Sequence, residues 1–225
     1  MTFSISARCA RTGMFGIAVS SSSPAVAARC AHARAGTGVV ATQNITDPML
    51  GPRGLDLLAT GLSAEGVLEK LRATSDYFDY RQVVVLDGEG RSAGHSGKHT
   101  LGTHTIAHAP NVAAAGNLLS SLDVPQAMVD SFLATPDAHL GDRLVGAMKA
   151  AVAAGGEEGP VHSVGMLLVD KVGWAVADLR IDWSEGDVMA ELDALWNVWQ
   201  PQMDAYVTRA LNPSTAPSYG VPGDE

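Results

Sequence analysis

The chain has 225 residues, enough for one domain with a sizeable core; 46% are hydrophobic and 17% charged, which excludes intrinsic disorder. Fifteen lysines and arginines against 24 acids give a net charge of −9, leaving no cationic footprint for nucleic acid or an anionic membrane. Cys9 and Cys30 are too few for a disulfide framework and no apolar run reaches the ~20 residues of a membrane span, so the expectation is a cytoplasmic protein with reduced thiols. The stretch from Arg8 to Val19 imitates a secretory signal, but Ser20 to Ser23 break its apolar run and the residues before it alternate like a strand.

In chain order, Phe3 and Ile5 alternate with Ser4 and Ser6, which is strand period over 2–7. Arg11-Thr12-Gly13 is a turn and 14–21 a second strand, so the chain opens with a hairpin. The alanine-rich 25–35 holds a helical turn or two, and Val39 and Val40 mark a strand over 38–43. Thr46-Asp47-Pro48 and Gly51-Pro52-Arg53-Gly54 read as loop punctuation. One helix follows with Leu55, Leu58 and Ala59 on its face, then a second capped by Ser63, with Val67, Leu68 and Leu71. Residues 82–86 form a strand that Asp87-Gly88-Glu89-Gly90 turns back onto 91–95. Short strands come near 104–109 and 112–115, helices over 124–134 and 139–153, and a strand pair over 163–169 and 173–181. A long helix, 187–211, carries Val188, Leu192, Leu195, Trp196 and Trp199 at helical spacing. Residues 1–211 thus form a single domain, and the proline-containing 212–225 a flexible tail. Blocks of strands and helices in this order predict α+β, with sheets packed face to face and helices outside.

Thr2 is the informative residue. Methionine aminopeptidase removes Met1 when a small residue follows, and the processed chain would carry a hydroxyl and a free α-amine on one residue. An α-amine titrates at about 7.7–8.0, so its neutral form can take the hydroxyl proton near neutral pH. From its position alone, the simpler reading is a threonine that starts a strand and does nothing more. With Met1 retained, the mechanism fails.

Several motifs occur in order: Met1-Thr2-Phe3-Ser4-Ile5, the run GTGVVATQ over 36–43, Gly51-Pro52-Arg53-Gly54-Leu55, Arg81-Gln82-Val83, Gly90-Arg91 leading to His95-Ser96-Gly97, Gly116-Asn117, and Asp178-Leu179-Arg180-Ile181-Asp182. Together they resemble the DUF1028 family over roughly residues 2–200. The resemblance implies a four-layer αββα sandwich of the Ntn-hydrolase-like kind, and an N-terminal nucleophile at Thr2. It also raises His95, which matches the family's His-x-Gly. The chain departs from the pattern at Gly159-Pro160-Val161-His162-Ser163, where members often carry Arg-Gly-x-Gln-Ser.

Beside that resemblance, Asn117 and nearby backbone N–H groups suit an oxyanion hole, although Gly-Asn is also common in turns. Gln43 and Asn44 are polar candidates for substrate contact at a strand end. Arg53 and Arg81 could clamp a carboxylate or pair with Asp47 and Asp79. His95, His99, His104 and His108 are four of seven histidines. On a strand the spacing of His104 and His108 sets them about 13 Å apart, too far to share a metal unaided. No metal or other cofactor is expected. Cys30 reads as a buried structural thiol.

The expected function is amide-bond hydrolysis in a small nitrogenous, anionic substrate; the alternative is a non-catalytic binding or assembly protein, or a metal protein, on the same scaffold. Trp196, Trp199 and Met203, with Leu192 one turn before, could cover the domain's own sheet or form the contact of a homodimer or higher even homo-oligomer; the latter is the expectation.

Overall fold

A computed structural model describes residues 1–223. It contains two sheets whose pairings are all antiparallel. The opening hairpin is β1 (Thr2–Arg8) and β2 (Phe15–Ser21), followed by a single helical turn, α1 (Ala27–Cys30). Next come β3 (Ala31–Arg34), β4 (Gly38–Asn44), α2 (Leu50–Ala59) and α3 (Ala64–Thr74). Then follow β5 (Arg81–Asp87), β6 (Ser92–Ser96), β7 (Thr105–Ala109), β8 (Val112–Asn117), α4 (Val124–Ala134) and α5 (Leu140–Ala153). The chain ends with β9 (Ser163–Val169), β10 (Ala175–Ile181), α6 (Val188–Trp199) and α7 (Met203–Leu211).

The six-stranded sheet runs β10-β9-β2-β1-β8-β7, and the four-stranded sheet β3-β4-β5-β6. Strand alternation gives each sheet two apolar faces. In β1, Phe3, Ile5 and Ala7 join α4, α5 and α6 in one core through Phe132, Leu144 and Leu192. In β4 and β5, Val40, Val83 and Val85 pack under Leu50 and Leu55 of α2 and Val67 and Leu71 of α3. The remaining faces meet each other through Phe15, Ile17 and Ala115 on one side and Val39, Ala41, Val84 and Leu86 on the other. Each such large side chain contributes roughly 1.5–3 kcal/mol when fully buried.

Three expectations change. Gly51-Pro52-Arg53-Gly54 lies inside α2 rather than in a loop. Pro52 falls in the first turn, where its missing N–H leaves no intrahelical bond unmade. Gly51 is demanded by packing: a Cβ there would sit 2.1 Å from the His32 ring on β3. The alanine-rich segment yields one helical turn and then β3, a strand the sequence reading lacked. The long terminal helix is two helices, separated by a 3-10 turn at Gln200–Gln202. Pro201 has no N–H to donate and its ring collides with a carbonyl four residues back, which stops α6.

The tryptophan face is consumed within the domain. Trp196 is fully buried and its Nε1 donates to Asp142 at 2.7 Å; Trp199 Nε1 donates to the Val176 carbonyl at 3.0 Å and its ring stacks on Tyr206. Those residues therefore lend no support to an oligomer contact. Among the described residues, no helix is long and apolar enough to cross a membrane.

Candidate functional site

The even-numbered residues of β1 face the four-stranded sheet. Thr2 pairs across the ladders with Ser21 on β2 and Asn117 on β8, and Ser21 pairs with Ser163 on β9. Directly opposed residues on antiparallel strands point to one face, so four small polar side chains form a row at one end of the inter-sheet layer. The Thr2 hydroxyl donates to the Met1 carbonyl at 2.6 Å, and the Ser21 hydroxyl donates to the same oxygen at 2.6 Å. Met1 O is thus gripped by two hydroxyls, one of them the proposed nucleophile.

Below that row a buried amide network joins the sheets. Ser4 Oγ donates to Gln43 Oε1 at 2.7 Å, and Gln43 Nε2 donates to Gln82 Oε1 at 2.8 Å. Asn117 Nδ2 donates to the same Gln82 oxygen at 3.1 Å, while Gln82 Nε2 donates to Ser96 Oγ and the Gly116 carbonyl, each at 3.0 Å. Gln82, fully buried, is the hub. A net bond contributes about 0.5–1.5 kcal/mol, but an orphaned buried partner costs about 1–3 kcal/mol, so the network fixes the geometry more strongly than it adds stability.

Both strands entering the network leave it in left-handed backbone: Asn44 follows Gln43 with φ 72° and Leu118 follows Asn117 with φ 51°. Asn44 tolerates this and uses its amide to hold the turn, donating to the Tyr80 carbonyl at 2.7 Å and accepting from Leu101 N at 3.2 Å. Leu118 has no such side-chain help; its N donates to Leu101 O at 3.1 Å and its carbonyl accepts from Glu158 N at 2.9 Å. A bulky residue held there costs about 1–3 kcal/mol, a strain that clusters at functional positions.

The structure brings together Thr2, Asn117 and Gln43 of the expected residues, and leaves four elsewhere. Asn44 is a turn residue. His95 pairs with Val83 and therefore faces α3, away from the inter-sheet layer; its ring stacks on Phe78 and burial, reinforced by Arg72, lowers its pKa. Arg53 donates to Thr74 between α2 and α3, and Arg81 to the Ile45 carbonyl. The other cluster histidines part company: His99 stacks on Tyr80, His104 Nδ1 meets the Gly102 carbonyl and His108 Nδ1 meets Ser92 Oγ. Among the described residues, no group of three or more His, Cys, Asp or Glu is arranged to hold a metal. Cys30 is buried, and burial raises its pKa to about 11, which keeps the thiol inert.

Sequence reasoning missed Ser4, Ser21, Gln82, Ser96 and Glu157. For Gln82 the available signal was a lone amide at the inward period of an otherwise apolar strand. Glu157, on the loop between α5 and β9, is buried with both carboxylate oxygens lacking a hydrogen-bond partner. Its burial lifts the carboxyl pKa from 4.5 to about 7, against the opposing pull of the chain's terminal amine and of the nearby Ser22 backbone N–H, which falls short of hydrogen-bond geometry.

Residues 2–192 match the family model described as a family of unknown function, DUF1028. The chain belongs to the DUF1028 family. A solved DUF1028 protein from Silicibacter pomeroyi is 26% identical, with 87% of this chain and 88% of that one covered at a TM-score of 0.80. More distantly, this DUF1028 chain is similar to a mutant Anbu from Hyphomicrobium sp. strain MC1 (12% identity, 90% and 96% covered, TM-score 0.44). It is also similar to Anbu, an ancestral beta-subunit, from Yersinia bercovieri (8% identity, 90% and 96% covered, TM-score 0.39). Likenesses that loose say nothing of function. No curated protein matches the chain.

Proposed function

We propose that this DUF1028 protein is an N-terminal-nucleophile amidohydrolase on an Ntn-hydrolase-like αββα scaffold, active once Met1 is removed. The observation that carries the reading is the convergence of the Thr2 and Ser21 hydroxyls on the Met1 carbonyl oxygen, beside Asn117. Removal of Met1 takes away that acceptor and leaves both hydroxyls facing the space it held. A substrate acyl group entering there meets Thr2 Oγ1 as nucleophile, with the residue's own amine as base. Asn117 keeps one amide N–H on Gln82 and has a second for the oxyanion. Oγ1 attacks, the amine takes its proton and passes it to the leaving nitrogen, and water then hydrolyses the acyl-enzyme.

The substrate class is a small nitrogenous compound with an amide bond. An acid group on it was expected from Arg53 and Arg81; with both bonded elsewhere, that refinement has no support from them. The non-catalytic alternative has one observation in its favour: Met1, when retained, closes over Thr2 and satisfies its hydroxyl.

Intact-mass spectrometry, followed by peptide mapping after treatment with an activated ester, tests the reading. The expected result is loss of Met1 and one acyl group on Thr2. Thr2→Ala should remove that label while changing stability by no more than about 1 kcal/mol, the worth of one hydrogen bond. Met1 retained on nearly all chains would end the proposal.

A further inference from the structure

Among the described acids, Glu157 alone has both carboxylate oxygens buried and without a hydrogen-bond partner. Its loop is pinned to the head of β1. Leu119 and Glu157 form an isolated antiparallel bridge, Glu158 N donates to the Leu118 carbonyl at 2.9 Å, and Ser120 N donates to the Gly156 carbonyl at 3.0 Å. Leu118 to Ser120 continue directly from Asn117, the ladder partner of Thr2. On the other side, Gly156 lies against Phe3 and the terminal methyl of Met1 lies over Gly159. Residues 156–159 therefore wrap around the first three residues of the chain.

What acts on the carboxylate is informative. The one charged group that favours its ionised form is the terminal ammonium of the chain, and the neutral one is the backbone N–H of Ser22, next to Ser21, which lies near the carboxylate without reaching hydrogen-bond geometry. Glu158 beside it is exposed. A buried carboxylate without a partner is costly, and the usual remedy is an opposite charge or donors close by. With Met1 present, the terminal amine stands one residue outside β1. Once Met1 is gone, the amine belongs to Thr2, about 3.8 Å further in along the chain.

We propose that Glu157 is the counter-ion of the Thr2 α-amine, a positioning residue that anchors the amine beside the Thr2 hydroxyl. The proposal rests on Thr2 being the nucleophile. Its chemical consequence follows the proton. As the Oγ1–C bond forms, the carbonyl π pair moves to oxygen and the hydroxyl proton moves to the amine, giving an ammonium. Glu157 stabilises that ammonium until it delivers the proton to the leaving nitrogen and the C–N bond breaks. A nearby carboxylate makes the amine a stronger base and fixes where its lone pair points.

The test uses a full chain whose first residue is Thr2, released from a cleavable N-terminal fusion and isotopically labelled at Thr2. The amine is titrated through the Thr2 Cα chemical shift in the parent, Glu157→Gln and Glu157→Asp proteins. Glu157→Gln keeps the side-chain shape and removes a buried charge, so the protein stays folded. The expected result is an amine pKa lower by about one unit in Glu157→Gln, equivalent to roughly tenfold more neutral amine at acidic pH, with much of the shift restored in Glu157→Asp. An amine that titrates identically in the parent and Glu157→Gln overturns the proposal. Acylation of the same proteins by an activated ester reports separately on the nucleophile. Acylation with an unmoved amine pKa removes Glu157 from the mechanism and leaves Thr2. A moved pKa without acylation retains the ion pair and removes Thr2 as nucleophile.

Discussion

Replacing Glu157 by glutamine in the chain that retains Met1 should stabilise the protein, and should do so in a pH-dependent way. In the native state the carboxyl keeps its proton up to about 7, against an ordinary value of 4.5. Between those values the native state binds more protons than the unfolded chain, so the wild-type protein loses stability as pH rises through that window, and the full penalty is present above it. At about 1.4 kcal/mol per pKa unit, the penalty is about 3.4 kcal/mol at pH 8 and about 0.8 kcal/mol at pH 5. Glutamine cannot ionise and escapes it. Its amide is no better satisfied than the neutral carboxyl, a cost common to both pH values that cancels in the comparison. The advantage of Glu157→Gln over wild type should therefore grow by about 2.5 kcal/mol from pH 5 to pH 8, which for a chain of this size is a Tm difference wider by about 5–10 °C. Thermal unfolding of both proteins at the two pH values measures it. A difference that is the same at pH 5 and pH 8, or that shrinks as pH rises, would refute the account of Glu157 as an acid whose burial outweighs the charge near it.

Gln82→Ala removes the hub of the amide network and leaves the side-chain amides of Gln43 and Asn117 without their shared acceptor; urea denaturation should show a loss of about 3 kcal/mol or more. Gly97→Ala places a Cβ 2.1 Å from the Asp79 backbone carbonyl, where neither group can yield cheaply, and should cost about 2 kcal/mol or more in the same assay. A fully tolerated alanine would show that the 79–97 contact is loose. Trp199→Glu breaks the bond to Val176 and the stack on Tyr206, so folding stability should fall by about 2 kcal/mol while sedimentation of the folded fraction is unchanged. A change in assembly at unchanged stability would place Trp199 at an oligomer contact.

The fold was legible because its signals are local and periodic. Alternation in Thr2–Arg8 and the two-faced apolar runs of Arg81–Asp87 and Ser163–Val169 identify strands without any tertiary knowledge. Failures came where a residue serves a neighbour that the sequence does not reveal. Gly51 looks like a loop signal, yet it is glycine because His32 of β3 crosses it. Ala31–Arg34 carries no β-branched residue and no Phe, Tyr or Trp, and is a strand because β4 offers it a partner edge. The site divides in the same way. Thr2 stands out through its place behind Met1, and Asn117 through a motif, but both are ordinary until register sets them opposite each other. Glu157 lies more than 150 residues from Thr2 on a glycine-rich loop and differs in no local respect from the exposed Glu158 that follows it. What separates these two acids is the Leu119 bridge, which turns one side chain inward and leaves the other in water. A functional role that depends on which of two adjacent glutamates is buried is set by the packing of the loop, so the decisive variants are the pair: Glu157→Gln should alter the pH dependence of stability, whereas Glu158→Gln should leave it as it is.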